Sequence, residues 1–393
     1  MSRAATGTAV VALALILAAC SGPILANPAL SPAVPPTPSP APSRQPDPQP
    51  VTFPRDDGPH DRLTEWWYFT GHLADGDGHR FGFEAVVFRA ERGGAPVTWA
   101  SHVALTDEGA GRFLYGQRAA LGPDVDRSPR GEEDTPVGFD FVMPAIDPAS
   151  GAPIEGEPWR LAGRAGRHAV AAGLSPLEAA AAGGSFALDL QLVEERAVAL
   201  HGEIGWLDFG PAGSSYYYSR TRLSTAGTLV LDGEVLSVTG TGWFDHQWGD
   251  FISVGGGGWD WFAVNLDDGT DLTISLVRGA DGSYPLVYGT LVGSDGQSRH
   301  LEAGDFTVEA DPARTWTSDR TGATYPAGWT IRVPSAGLTI DLEPTVAAQE
   351  LDTRPTTGVV YWEGSQVVVA TRDGRPLGGR AYVELTGYGP ASP

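Results

Sequence analysis

The stretch Trp243-Phe-Asp-His-Gln-Trp-Gly-Asp250, followed by Gly258-Trp-Asp-Trp-Phe262, holds four of the chain's twelve tryptophans. Read as strands, alternate side chains share a face. That puts Trp243, Asp245 and Gln247 together and Phe244, His246 and Trp248 opposite. Trp259 and Trp261 likewise share a face, with Asp260 and Phe262 on the other. Upstream, Glu65, Trp67 and Phe69 alternate with Trp66, Tyr68 and Thr70. Each segment sets an ionisable group among large rings, which suits a pocket for an apolar ligand.

Period-2 runs recur outside these segments. They include Arg80-Phe-Gly-Phe-Glu-Ala-Val-Val-Phe88 after Asp75-Gly-Asp-Gly78, and Leu229 to Leu236 around Asp232-Gly233. Asp271 to Val277, Leu286 to Val292, Trp329 to Val333 and Leu338 to Leu342 follow. Short β-rich runs with Asp-Gly turns predict antiparallel barrels or sandwiches. One short helix is expected at Ser175-Pro-Leu-Glu178, a capping box with proline at its first position, stopped by Gly183-Gly184. The fold class is all-β. The length suits two domains, 55–250 and 251–393, with the glycine run Gly255 to Gly258 read as a loop at the passage between them.

Composition excludes several chemistries. All 26 basic residues are arginine, so Schiff-base, pyridoxal-phosphate and phosphate-loop lysine functions are out. The single cysteine, Cys20, removes disulfides, thiolate zinc sites and a catalytic thiol from the folded part. A net charge of −22 argues against nucleic acid and anionic lipid surfaces as partners.

Residues 1–20 read as an export signal: Arg3, an apolar run from Ala9, then Leu17-Ala-Ala-Cys20 before Ser21. That ending resembles a bacterial lipobox, which implies lipidation of Cys20 and an exported lipoprotein held to the membrane only by its anchor. Residues 21–54 form a linker, with eleven prolines among residues 28–54 that keep it extended and outside any core.

Longer motifs carry a family resemblance. Glu65-Trp-Trp-Tyr-Phe-Thr-Gly-His-Leu73, Ser215-Tyr-Tyr-Tyr-Ser-Arg-Thr-Arg-Leu223, Gly242 to Gly249 and Gly258 to Phe262 resemble the carotenoid 1,2-hydratase and AttH-type superfamily. So do Tyr325-Pro-Ala-Gly-Trp329 and Tyr361-Trp-Glu-Gly364 with Gly379 to Tyr388. The resemblance implies two lipocalin-like β-barrels packed together, the first ending at Trp243 to Gly249. It leaves activity open among hydration of isoprenoid double bonds, cyclisation, a hydrolase of the AttH type, and a lipocalin-like carrier without chemistry. His246 and Trp248 match the His-x-Trp arrangement of the hydratase active-site element.

Hydrating a trisubstituted alkene needs a strong local acid, aromatic faces for the cation, and a positioned water. A carboxylic acid among aromatics is poorly solvated and stays protonated more readily. Asp245 is the expected proton donor, with His246 as its orienting partner or as base, and Glu65 and Asp260 as substitutes. Trp248, Trp259 and Trp261 are expected as cation-stabilising walls. Trp67 and Tyr217 join them as ligand contacts, although core packing is the commoner use of such aromatics. Glu363 and Glu384 are expected to pair with Arg220, Arg222 or Arg380 across the barrels. No metal or cofactor is expected: His246, Asp245, Asp250 and Asp260 have no metal-site spacing, and no nucleophile elbow surrounds a serine. The partner is an apolar small molecule, and the sequence leaves the oligomeric state unknown.

Overall fold

A computed structural model describes residues 46–252 and 256–389. The signal segment 1–20 with Cys20, and the linker as far as residue 45, lie outside the described residues. The chain is mostly strand, arranged as two barrel-like antiparallel sheets, one nearly closed and one a half-barrel. This is the expected all-β, lipocalin-like architecture.

The first sheet runs through β1 (Thr64–Ala74), β2 (Arg80–Ala90), β3 (Thr98–Asp107), β4 (Arg112–Leu121), β5 (Phe139–Met143) and β6 (Trp159–Arg164). It continues with β7 (Arg167–Gly173), β8 (Phe186–Glu194), β9 (Ala199–Leu200), β10 (Trp206–Asp208), β11 (Ser214–Leu231) and β12 (Glu234–Gly249). Its order is β4-β3-β2-β1-β12-β11-β8-β7-β6-β5, with β9 and β10 paired to β11. The second sheet begins at β13 (Gly256–Leu266) and contains β14 (Asp271–Gly279), β15 (Leu286–Val292), β16 (Ser298–Glu302) and β17 (Thr307–Ala310). A small separate hairpin, β18 (Thr315–Thr317) and β19 (Thr324–Pro326), precedes β20 (Trp329–Val333), β21 (Leu338–Pro344), β22 (Glu350–Asp352), β23 (Val360–Arg372) and β24 (Arg375–Thr386). The order here is β16-β15-β14-β13-β24-β23-β21-β20-β17, with β22 on β23.

Each sheet closes around its own core. Trp67, Phe69, Phe83, Trp99, Phe139 and Phe244 fill the first, while Phe262, Ile274, Trp329, Ile331, Trp362 and Val383 fill the second. A third cluster, Tyr68, Val86, Trp243, Trp261, Ala263 and Tyr382, lies between the sheets. β1, residues 242–249 of β12 and residues 260–266 of β13 are therefore covered on both faces, and a strand without a solvent face need not alternate apolar with polar. This explains why these strands carry Trp-Trp-Tyr-Phe, Trp-Phe and Trp-Asp-Trp-Phe runs. The approach is close: a Cβ on Gly82 of β2 would sit 2.8 Å from the Tyr382 hydroxyl and 2.9 Å from the Ser365 Cβ.

The helix forms where the capping box places it, as α1 (Pro176–Ala182). Ser175 and Glu178 cap each other's backbone and Gly183 ends the helix in the left-handed region, at φ 76°. Glu178 also holds Arg118 of edge strand β4 through bonds of 2.9 and 3.0 Å, and that guanidinium lies 4.1 Å over Trp159. Gly256 to Gly258, read as loop, instead open β13 through a bulge before Trp259. Gly258 has φ +90° and its missing Cβ would lie 2.3 Å from the Thr386 carbonyl oxygen.

The sequence assigns residues 46–54 to the linker, whereas the structure packs them on the first barrel. Arg62 donates to both oxygens of Asp47 at 2.6 and 2.7 Å, and the Tyr216 hydroxyl donates to Asp47 at 2.8 Å. The Phe53 ring meets Tyr218 edge-on at 5.0 Å. The prolines keep this strap extended while the side chains between them find partners. Beneath it, Arg220 donates to Asp57 at 2.6 Å and also bonds Glu194, and the Tyr218 hydroxyl donates to Asp57 at 2.7 Å.

Removing one member of a buried ion pair leaves the other charge uncompensated. Asp57→Ala should therefore lower unfolding free energy by about 3–5 kcal/mol, measured by denaturant titration. A loss below about 1 kcal/mol, the range of exposed pairs, would show that Glu194 alone satisfies Arg220.

Candidate active site

Between the two sheets lies a cavity of about 340 Å³. Trp66 and Tyr68 of β1, Glu84 and Phe88 of β2, Tyr217 of β11 and Asp245 of β12 line one side. Trp259 and Trp261 of β13, Tyr288 of β15, Tyr361 and Glu363 of β23 and Glu384 of β24 line the other. The volume falls within the usual range for small-molecule sites, about 300–1,000 Å³.

Four carboxyl groups face this space, and their surroundings differ. Asp245 accepts from the Tyr217 hydroxyl at 2.5 Å, from the Trp243 indole at 2.6 Å and from Ser219. The Trp261 indole donates to the same Tyr217 oxygen at 3.1 Å, tying a wall of the second sheet to the acid of the first. Among the described residues Glu363 accepts from the Tyr68 hydroxyl alone, at 2.6 Å, and Glu84 from Tyr361 alone, at 2.9 Å. The second oxygens, Oε2 of Glu363 and of Glu84, are buried without a hydrogen-bond partner among the described residues. Glu384 lies directly across from Glu363 in the β23–β24 register and opposite Trp261 in the β13–β24 register.

Burial disfavours ionisation, and one carboxylate raises the next. Burial pushes Asp245 up to about 6 against its three donors. Glu384 rises to about 7 and Glu84 to about 8, again chiefly through burial. Glu363 is pushed well above the usual carboxylate range, by burial and then by Glu384 and Glu84 beside it. The arginine at the cavity, Arg354, is forked onto Asp352 at 2.7 and 2.6 Å. The cavity thus sets carboxyls of raised proton affinity against aromatic walls.

The structure divides the residues expected at one site. Asp245, Tyr217, Trp259 and Trp261 share the cavity. His246, Glu65, Trp67 and Trp248 do not: they lie on the opposite faces of β1 and β12, inside the first barrel. His246 sits next to Asp245 in sequence, so the strand period directs it away, and it cannot orient that acid. Its Nε2 faces Glu65 at 2.9 Å, and its ring packs between Trp67 and Trp248, 4.6 Å from each. Burial holds His246 below the ordinary histidine range despite Glu65. The Trp67 indole donates to the Asp57 carbonyl at 3.0 Å, a packing role. Trp248 stacks on Tyr216 and on His60. Asp260 also turns from the cavity, toward the Tyr388 hydroxyl at 3.1 Å and Arg278 at 3.4 Å.

The expected pairing of Glu363 and Glu384 with Arg220, Arg222 or Arg380 is corrected too. Arg220 serves Asp57 and Glu194, Arg222 serves Asp271, and Arg380 approaches Glu108. Those arginines belong to other faces, and among the described residues no arginine pairs with Glu363 or Glu384. Glu84 carried a readable signal, a carboxyl inside the apolar run Phe83 to Phe88. The Glu363–Glu384 opposition carried none, because it depends on register between strands.

The model of the AttH-like family matches residues 44–388. The chain belongs to the AttH-like family. A putative AttH from Nitrosomonas europaea is 32% identical with a TM-score of 0.70, the match covering 86% of this chain and 98% of that one. Kievitone hydratase from Nectria haematococca shares the fold at 16% identity and a TM-score of 0.60, covering 86% of this chain and 93% of its own. CghA with Sch210972 does so at 13% and 0.53, covering 83% and 89%. No curated protein matches.

The seam acids make a prediction for this AttH-like protein. A carboxyl with a raised folded-state pKa binds protons the unfolded chain has released, so its contribution is complete at acid pH and is lost as pH rises through the folded value. For Glu84 that window runs from its ordinary value of 4.5 to about 8. Buried neutral His102, His168 and His201, each held down to about 3, act in the opposite sense below 6.5. The informative quantity is thus the difference between proteins: the Tm of Glu84→Gln minus that of wild type should grow from pH 5 to pH 9. A flat difference by calorimetry would mean Glu84 is not held protonated.

Proposed function

We propose that this AttH-like protein is a hydratase-like enzyme that adds water across a C=C bond of an apolar isoprenoid or lipid-like molecule held between its two sheets. The observation that carries this reading is the set of buried carboxyls without arginine partners on an aromatic cavity. The fold shared with a protein named kievitone hydratase supports it.

The roles follow from the environments. Two acids whose surroundings separate their proton affinities are suited to opposite roles. Glu363, with one donor and a bare second oxygen, is the proton donor in preference to Asp245. Its proton passes to one alkene carbon, leaving a tertiary cation at the other. The faces of Trp66, Trp259 and Trp261 stabilise that charge. Water then bonds to the cation and releases a proton to Asp245, whose three donors favour its ionised form. Exchange with solvent returns the proton to Glu363. A forty-carbon carotenoid would extend beyond a cavity of about 340 Å³, so one end of such a chain or a smaller unsaturated lipid is the fitting substrate class.

As part of the same reading, the protein is exported and anchored through lipidated Cys20. Metabolic labelling with a fatty acid should mark wild type and not Cys20→Ala.

Purified protein should add one water, seen as an 18-dalton gain by mass spectrometry, to members of a panel of acyclic carotenoids and smaller prenylated lipids. Glu363→Gln should lower kcat/KM by about 10²–10⁴-fold, the usual contribution of a positioned acid. Asp245→Asn should lower kcat with little change in KM. Equal rates for Glu363→Gln and wild type would eliminate Glu363 as donor. Tight ligand retention without any turnover would leave a carrier.

A further inference from the structure

On the inner face of the first barrel, away from the seam cavity, two imidazoles converge on one carboxylate. His60 Nδ1 lies 2.7 Å and His246 Nε2 lies 2.9 Å from the same oxygen, Oε1 of Glu65. These three atoms all lie within 4.8 Å of one another. Glu65 comes from β1 and His246 from β12, while His60 comes from the turn that leads into β1. No motif spacing announces the group, because β-sheet pairing brings Glu65 and His246 together across 181 positions of sequence.

The outer atoms of both rings are engaged as well. His60 Nε2 faces Asp56 Oδ1 at 3.2 Å, and His246 Nδ1 faces the Tyr218 oxygen at 3.3 Å. Tyr218 has one hydroxyl hydrogen, and it goes to Asp57 at 2.7 Å. Its oxygen can therefore only accept from His246. The Asp56 carboxylate, bound by Arg55 and by the Thr52 amide, likewise accepts from His60. Each neutral ring carries one N–H, and these partners call for it on the outer nitrogen. The inner nitrogens then present lone pairs toward Glu65 Oε1. Its other oxygen, Oε2, accepts from the His60 amide at 3.0 Å and has Arg89 at 3.9 Å.

Three lone-pair donors aimed at a common region require positive charge there, as two added protons or as one divalent cation. Protons on both rings would stand only 5.6 Å apart by ring centroids with His246 fully buried. A proton on His60 alone, which against burial Glu65 and Asp56 favour, still leaves His246 Nε2 facing Glu65 without one. A single cation satisfies all three donors at one point. Ligand histidines ordinarily give their second nitrogen to a carboxylate or another polar acceptor, which fixes the tautomer. The rings are also held in orientation: His60 stacks on Trp248 at 4.2 Å, interplanar angle 1°, and His246 stacks on Trp67 at 4.6 Å. A second cavity, of about 360 Å³ and lined by His60, Asp56, Arg62 and Trp248, gives access from outside.

We propose that His60 Nδ1, His246 Nε2 and Glu65 form a binding site for a divalent transition-metal ion of the zinc class, with a further coordination position on the side of this second cavity. Two imidazoles and one carboxylate are a donor set for zinc and its neighbours, whereas calcium and magnesium favour oxygen ligands. The site stands apart from the seam acids, on the opposite faces of β1 and β12, and does not depend on the hydration reading.

The test uses protein without a histidine tag, stripped with chelator, loaded with zinc or cobalt(II) and dialysed. Wild type should retain about one metal per chain by elemental analysis. Cobalt(II) should give visible d–d absorption, and zinc should raise Tm. His60→Ala removes a partner of Glu65 and Asp56 and should lower the metal-free Tm, with circular dichroism showing the fold retained, while losing metal retention and the absorption band. Asp56→Asn should weaken binding by about 10- to 100-fold, the usual effect of losing an outer partner. Stripped wild type that retains no zinc and gives no cobalt band would overturn the proposal. Equal retention by wild type and His60→Ala would overturn it as well, since the metal would then sit elsewhere.

Discussion

The structure depends on a packing constraint: β1, residues 242–249 of β12 and residues 260–266 of β13 are covered on both faces. Each is covered by its own sheet's core on one side and by the seam on the other. Successive side chains on such a strand enter different chambers, so neighbours in sequence become strangers in space. Asp245 and His246 show the consequence. One faces the aromatic cavity between the sheets and the other the inside of the first barrel, although a single peptide bond joins them.

The two chambers differ in how charge is treated. In and on the first barrel, carboxylates have cationic or histidine partners: Asp57 has Arg220, Asp47 has Arg62, and Glu65 has His60 with Arg89 nearby. Burial would raise Asp56 and Glu65, yet their histidine partners (helped at Asp56 by Arg55) bring both down to about 2. In the seam, Glu84, Glu363, Glu384 and Asp245 have neutral donors and one another for partners among the described residues. The same burial then prevails and raises their proton affinities, least against the three donors of Asp245. An enzyme that must protonate a weakly basic carbon needs the second environment. A fold that must keep its barrel closed around polar groups needs the first.

Much of the fold was legible in the chain. The Asp-Gly turns at 75–78 and 232–233 lie between paired strands, and the Ser175 capping box forms as written. The helix and hairpins are local, so their causes sit within a few residues. The candidate site was legible in part. Alternation placed Asp245 with Trp243 and separated it from His246 before any contact was known, and Tyr217, Trp259 and Trp261 do meet Asp245 at the cavity. Glu363 and Glu384 were missed because each was expected to find an arginine, and no local pattern tells where each arginine will face; Glu84 went unread although it lies inside an apolar run.

Sequence alone determined the chemistry available. It set strands with alternating faces, a lysine-free chain that rules out amine nucleophiles, and aromatic segments that carry acids. It also determined family membership through long motifs in fixed order. Tertiary structure decided which face of each strand becomes a wall of which chamber. It also decided that Glu363 stands opposite Glu384, and that His60 and His246 converge on Glu65. The reason is one of range: strand period and turn geometry are set by adjacent residues, whereas register and the docking of one curved sheet on another are set by contacts far apart in the chain.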